Sequence, residues 1–395
     1  MQSELELINF LRDTASRELE GDILPYWLSL KDPQGGFFGE ADAFGRVNPA
    51  AERGAVLGAR LVWTFSAAYA SLKRPEYLDA ARWACDYLLA RFVDRKNCGV
   101  YWSVAADGTP LDTKKQLYAQ GFAIYGLAEY YKASGDGAAL QAARELFGVV
   151  ERHFYDAANG GYREALACDF SPLEDMSLSA HDINADKTMN SHLHLLEAYA
   201  NLYTAWADEA LGARVRELLD LMCLKIMHPS GHLQLYFSNA WDVLPGGWSY
   251  GHDIETSWLA LECADAIGEP LLIDRISGYS RQLAAAGNEG LQPDGSMIYE
   301  LHPGGRADFF REWWVQAEAV VGNLWAWKRL SDPDGLQRAA ATMRYIQENL
   351  IDRTNGEWYW GMNADGTPDL SRPKAGFWKC PYHNSRMCLQ VLSVL

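Results

Sequence analysis

Two kinds of helical pattern alternate along this chain. Stretches such as AARWACDYLLARF and VRELLDLMCLKI carry apolar residues on one face and charged residues on the other, so each predicts a helix with one side in water. Stretches such as LVWTFSAAYASL, LHLLEAYANLYTAW and VQAEAVVGNLWAW are apolar nearly all round and predict helices buried on every side. Strong helix formers at helical spacing support the first kind from Tyr77 to Phe92, Leu140 to His153 and Leu211 to Lys225. After each amphipathic helix comes a glycine turn with a short aromatic or β-branched run, and then an apolar helix.

That turn is the clearest punctuation in the sequence. It reads GGFFGEADAFG from Gly35, CGVYWSVAADG around Gly99, GGYREALACDF from Gly160, GHLQLYFSNAWD from Gly231, GSMIYELHPGG from Gly295 and GEWYWGMNADG from Gly356. The intervals between these glycines run from 61 to 71 residues, room for two helices of ordinary length and a short hairpin. Six such units predict an all-α fold of one domain over residues 1–395. It is an (α/α)6 barrel in which six buried helices stand inside six amphipathic ones, joined by short β-hairpins. With His383 only about twelve residues before Leu395, the last helix is expected to be short or to close against the first repeat.

Length alone, at 395 residues, would suggest two or three domains, and the repeat overrules that prior. The 15 Trp and 20 Tyr suit both a large core and a site that stacks on sugar rings. A net charge of -17 without Lys/Arg clusters argues against nucleic acid and fits a neutral small molecule as partner. The seven cysteines form no CxxC pair and read as free thiols of a reducing cytosol. The first thirty residues carry acidic side chains such as Glu4, Glu6, Asp13, Glu18 and Glu20 and do not resemble a signal peptide, and no run approaches the apolar length of a membrane span, so a cytoplasmic location is expected. The assembly expected is a monomer or weak homodimer.

Polar residues stand out where they interrupt the buried helices. Arg60, Tyr118, His194, His252, Trp314 and His383 follow their repeat glycines by 19 to 34 residues, at similar places in six units, so in a closed barrel they converge on one funnel. In KTMNSHLHLLE, residues Asn190, His194, Glu197 and Asn201 share one stripe of an apolar helix, and burying them costs a few kcal/mol each unless they bond one another or a ligand. His192 lies on another side of that helix, so the H-x-H pair cannot chelate one metal. In SYGHDIE, Glu255 sits three residues after His252, where a helix would let it orient the ring and favour its protonated form. In WKCPYHNSR, Pro381 suits a helix's first turn and His383 follows just behind.

The segments ARLVWTFSAAY, YAQGFAIYGLAEYY, KTMNSHLHLLEAYANLY, SYGHDIETSWLALE, EWWVQAEAVVG and WKCPYHNSRMC, one from each repeat, resemble the N-acylglucosamine 2-epimerase superfamily, and within it the cellobiose 2-epimerases. The resemblance implies a sugar 2-epimerase with Arg60, Asn190, His194, His252, Glu255 and His383 at catalytic or enediolate-binding positions. Tyr118, Trp314 and Trp378 fall on sugar-contacting positions, and Asp182 and Glu318 are expected to join them. Gly58 departs from the asparagine the family pattern implies. The implied reaction opens the reducing-end ring, removes the C2 proton and returns a proton to the opposite face. His252 and His383 would exchange acid and base roles, and Arg60 and Asn190 would hold the negative oxygen. No metal or nucleotide cofactor is implied, and no phosphate-binding glycine loop is present. The alternatives are an aldose-ketose isomerase or N-acylglucosamine 2-epimerase of the same superfamily, an inverting glycoside hydrolase using a carboxylate pair such as Asp182 and Glu255, and a non-catalytic sugar-binding barrel.

Overall fold

The computed structural model describes residues 3–179 and 182–395. Its outer helices are α1 (Glu4–Glu18) with its continuation α2 (Leu24–Ser29), α4 (Pro75–Tyr87), α6 (Gly137–His153), α8 (Glu209–Leu221), α10 (Pro270–Gly287) and α12 (Gly335–Tyr345). The inner helices are α3 (Ala55–Leu72), α5 (Leu117–Ser134), α7 (Met189–Ala205), α9 (Tyr250–Ile267), α11 (Trp313–Arg329) and α13 (Tyr382–Val394). Each inner helix packs on the next, and α13 returns to α3, which closes the (α/α)6 barrel. The chain's last helix also packs on α1, so the first and last repeats meet. One continuous hydrophobic core runs from Leu7 to Val391.

The repeat turns are built alike. Four outer helices end in a π turn, at Leu19–Ile23, Leu88–Phe92, Met222–Ile226 and Ile346–Leu350. An aspartate caps the turn in four repeats: Asp32, Asp94, Asp156 and Asp352 each accept the amide two residues on. Each also holds a buried cation from the strand or loop before an inner helix, namely Arg53, Lys115 at 2.9 Å, Lys187 at 2.8 Å and Lys374 at 2.5 Å. Short antiparallel pairs then stitch neighbouring repeats, with Arg53 opposite Val104, Lys115 opposite Leu166, Lys187 opposite Phe237, Trp248 opposite Leu301 and Arg311 opposite Met362.

Inner-helix side chains lock onto these turns. Gln120 bonds both backbone groups of Val100, and Gln316 does the same at Met297. His192 takes the same place on α7, where its Nε2 accepts the Tyr162 amide at 3.0 Å while Nδ1 meets the Thr188 carbonyl. It therefore faces a turn, away from His194. All seven cysteines are unpaired. Against the sequence expectation, α3 has the length and apolar composition of a membrane span; it stands in the inner ring, mostly buried, with Arg60 on it.

Candidate active site

The N-terminal ends of the inner helices meet around a cavity of about 490 Å³. Arg60, Tyr118, Asn190, His194, His252, Trp314 and His383 line it, with Glu255, Asp182 and Trp378, so the similar offsets along the sequence become one shared wall. The hairpins contribute the mouth, with Tyr236, Tyr299, Glu300, Asp308, Trp360 and Arg372. These were not singled out from the sequence, because they lie in loops that differ from repeat to repeat. Gly58 does not reach the site. A Cβ there would point at Phe92 and Leu88 of the outer layer, and Gly58 itself is not among the residues that line the cavity.

Three histidines enter the cavity with a different partner on each Nδ1. His252, in the first turn of α9, meets the Ser249 hydroxyl at 2.7 Å. His383, just behind Pro381, meets Glu318 at 2.7 Å, and His194 meets Glu197 one turn further along α7 at 2.9 Å. Trp314 touches both His252 and His383, with ring centroids 4.8 and 5.6 Å away. Burial pushes His252 down to about 3. It also lowers His194, and burial together with Arg60 and Arg386 drives His383 well below the usual histidine range. Burial thus favours the neutral form of all three rings, and at His194 and His383 a carboxylate that accepts from Nδ1 leaves Nε2 as the basic nitrogen.

Arg60 donates to the Tyr118 hydroxyl at 2.9 Å, and its guanidinium lies over Phe122 and Tyr382 at 4.2 and 4.6 Å. Asn190 lines the cavity with a side-chain oxygen that has no partner among the described residues. The Arg60 guanidinium and the unpartnered Asn190 Oδ1, an acceptor, thus line the same cavity as the histidines. Asp182 reaches the same cavity, held by Tyr236 at 3.0 Å and Ser179 at 2.6 Å.

Three expectations need correction. Glu255 does not orient His252: its Oε1 accepts from Arg386 at 2.5 Å, one turn deeper, where a guanidinium is a stronger donor than a ring already served by Ser249. Glu318 does not contact the cavity, being fully buried behind His383 with bonds to Arg386 at 2.7 Å and Trp258 at 3.0 Å. Asn201 leaves the polar stripe for the far end of the barrel, where Lys132 and the Tyr125 carbonyl hold it. The group behind all this is Arg386, which bonds Glu197 at 2.6 Å, Glu255 and Glu318 from one guanidinium. Glu255, Glu318 and His383 bring three ligand atoms within 4.8 Å of one another, a metal-like set that no local sequence spacing shows, and the Arg386 guanidinium is bonded to both of its carboxylates.

The family profile of N-acylglucosamine 2-epimerase matches residues 36–385. A cellobiose 2-epimerase of Bacteroides fragilis is 45% identical over 386 residues, covering 97% of this chain and 98% of its own. One from Ruminococcus albus is 37% identical and covers 95% of this chain and 97% of its own. The solved cellobiose 2-epimerase of Bacillus thermoamylovorans superposes with a TM-score of 0.94 at 37% identity, over 98% of this chain and 100% of that one. With full-length similarity, a shared barrel and all six repeats contributing to one histidine-lined cavity, this chain belongs to the N-acylglucosamine 2-epimerase family.

Proposed function

We propose that the protein interconverts glucose and mannose at the reducing end of a β-1,4-linked disaccharide such as cellobiose or lactose, by reversible epimerisation at C2. The observation that carries this reading is the pair of imidazoles, His252 and His383, both against Trp314 in a cavity that also holds Arg60 and Asn190. After ring opening, one neutral histidine takes the C2 proton and becomes the imidazolium, while the other, which has taken a proton from solvent beforehand, returns it to the opposite face and is left neutral; the first ring then releases its proton to solvent, and the reverse reaction exchanges the roles. Such acid and base work contributes roughly 10² to 10⁴ in rate. Because burial disfavours the charged rings, the imidazolium is stabilised when the enediolate's negative charge lies beside it. Arg60 and Asn190 supply donors to that oxygen, each worth about 2.7 to 4 kcal/mol in the transition state. His194, steadied by Glu197, assists ring opening or polarises the same oxygen.

The glycoside hydrolase alternative is disfavoured by Glu255, whose carboxyl is tied to Arg386. The disaccharide preference follows from similarity to cellobiose 2-epimerases and from Trp378 and Trp314 in the wall, which give two rings apolar faces. Incubation with cellobiose, lactose, mannose and N-acetylglucosamine, followed by NMR, tests the reading. The 2-epimer of the disaccharide is the expected product, whereas a ketose would move the chain to the isomerase branch and free glucose to hydrolysis. Trp378→Ala should narrow the kcat/KM advantage of cellobiose over glucose by about 0.5 to 1.5 kcal/mol, the worth of one ring contact. Better turnover of free monosaccharides by the wild type would reject the disaccharide assignment.

A further inference from the structure

A second cavity, of about 640 Å³ and so larger than the first, opens at the opposite end of the barrel. Its lining lies further along the same inner helices: Trp63 after Arg60 on α3, Tyr125 after Tyr118 on α5, Asn201 after His194 on α7, Glu262 after His252 on α9 and Gln390 after His383 on α13. The two cavities share a floor. Glu197 and Arg386 line the rear one, yet Glu197 holds His194 and Arg386 holds the Glu318 that serves His383. Anything seated against that floor touches the groups that fix two histidines of the front site.

The lining indicates the chemistry of an occupant. Trp63 and Tyr125 stack on each other at 5.5 Å and give the cavity an aromatic wall, while Asn201, Gln390 and Glu262 put amide and carboxyl groups nearby. The charges are already matched within the protein. Lys132 pairs with Glu129 at 2.7 Å, and Arg386 is enclosed by three carboxylates. Glu262, bonded to Gln390 at 3.0 Å, is pushed up to about 7 by burial and by Glu197. The C-terminal ends of the inner helices point this way, and their carbonyl dipoles repel anions. Aromatic faces, hydrogen-bonding groups and, among the described residues of the lining, no free cation suit a neutral polyhydroxylated molecule, and the volume falls within the usual range for small-molecule sites.

We propose that this rear cavity binds a small neutral polyol, a sugar alcohol or monosaccharide, and that its occupancy is transmitted to His194 and His383 through Glu197 and Arg386. The binding claim stands on the cavity alone; the transmission claim rests on the proposed epimerase reading. Mannitol is the probe, since it has no reducing end and cannot be turned over. Saturation-transfer NMR of mannitol in the presence of saturating cellobiose should show binding to the wild type, and binding should be lost in Ala70→Trp, which plugs the exposed rim, and weakened in Gln390→Ala. In rate measurements, mannitol should change the apparent KM for cellobiose by about 5-fold or more and then plateau, the behaviour of coupled separate sites. No mannitol binding, or binding that both rear variants leave intact, would overturn the site. Binding sensitive to the rear variants but without any effect on turnover of whichever sugar proves to be substrate would overturn the transmission and leave the site standing.

Discussion

At the scale of single residues, the partner on each Nδ1 decides what a histidine can do. Burial favours the neutral form of His252 and His383; Glu318, accepting from Nδ1 of His383, leaves that ring's Nε2 to take a proton, and the Ser249 hydroxyl steadies the His252 ring. Replacing either with Asn should lower kcat by roughly 10² to 10⁴ while the far-ultraviolet circular dichroism stays unchanged; retained turnover in both variants would remove the two-histidine scheme. The carboxylates behind the rings are not equivalent. Arg386 is the first cause that offsets burial at Glu197 and holds it down at about 2, whereas burial and the nearby Glu318 push Glu255 well above the usual carboxylate range. An amide imitates a protonated carboxyl but not an ionised one. Glu255→Gln should therefore cost less than about 1 kcal/mol of stability, and Glu197→Gln about 3 to 5 kcal/mol, the penalty for taking one partner from a buried ion pair. Equal urea midpoints for the two variants would contradict this division.

At the scale of elements, the aspartate turns of four repeats tie a buried cation just before an inner helix and so fix where that helix begins. Lys187 is fully buried and donates to Asp156, to the Gly160 carbonyl and to the Asn239 carbonyl, joining three segments just before α7 begins with Asn190 and His194 in its first turns. Lys187→Met leaves Asp156 short of its counter-charge and should cost about 3 to 5 kcal/mol in denaturant unfolding, far above the fraction of a kcal/mol typical of an exposed pair. The alternation of amphipathic and apolar helices and the recurring glycines were legible because they obey local periodicity. So were the polar groups near the starts of inner helices, which follow those glycines at similar distances of 19 to 34 residues. The aspartate turns recur just as regularly, and Asp32, Asp94, Asp156 and Asp352 before the glycines are the signal that could have shown them. Glu255 was misread because i,i+3 spacing gives proximity on a helix face and says nothing of a competing guanidinium from another helix.

At the scale of the whole molecule, the barrel is pinned at its centre by one side chain from its last helix. Arg386 on α13 reaches Glu197 on α7, Glu255 on α9 and Glu318 on α11, contacts that join residues more than sixty positions apart and that no local pattern could reveal. Tyr382, on the same helix, adds a bond to Glu197 at 2.5 Å. Removing the guanidinium would leave three buried carboxyls facing one another, and each would then be easier to protonate in the folded chain than in the unfolded one. A group whose folded pKa is raised above its unfolded value stabilises the fold at low pH and loses that contribution as pH rises through the folded value. For Glu197 the replacement also reverses the present situation, in which a depressed folded pKa stabilises the fold above the ordinary carboxylate range. The stability deficit of Arg386→Met relative to the wild type should therefore widen from pH 5 to pH 8, read as the gap between urea midpoints measured by tryptophan fluorescence. A gap that stays constant or narrows over that interval would mean that the carboxylates do not depend on Arg386 for their charge, and that α13 closes the barrel by packing alone.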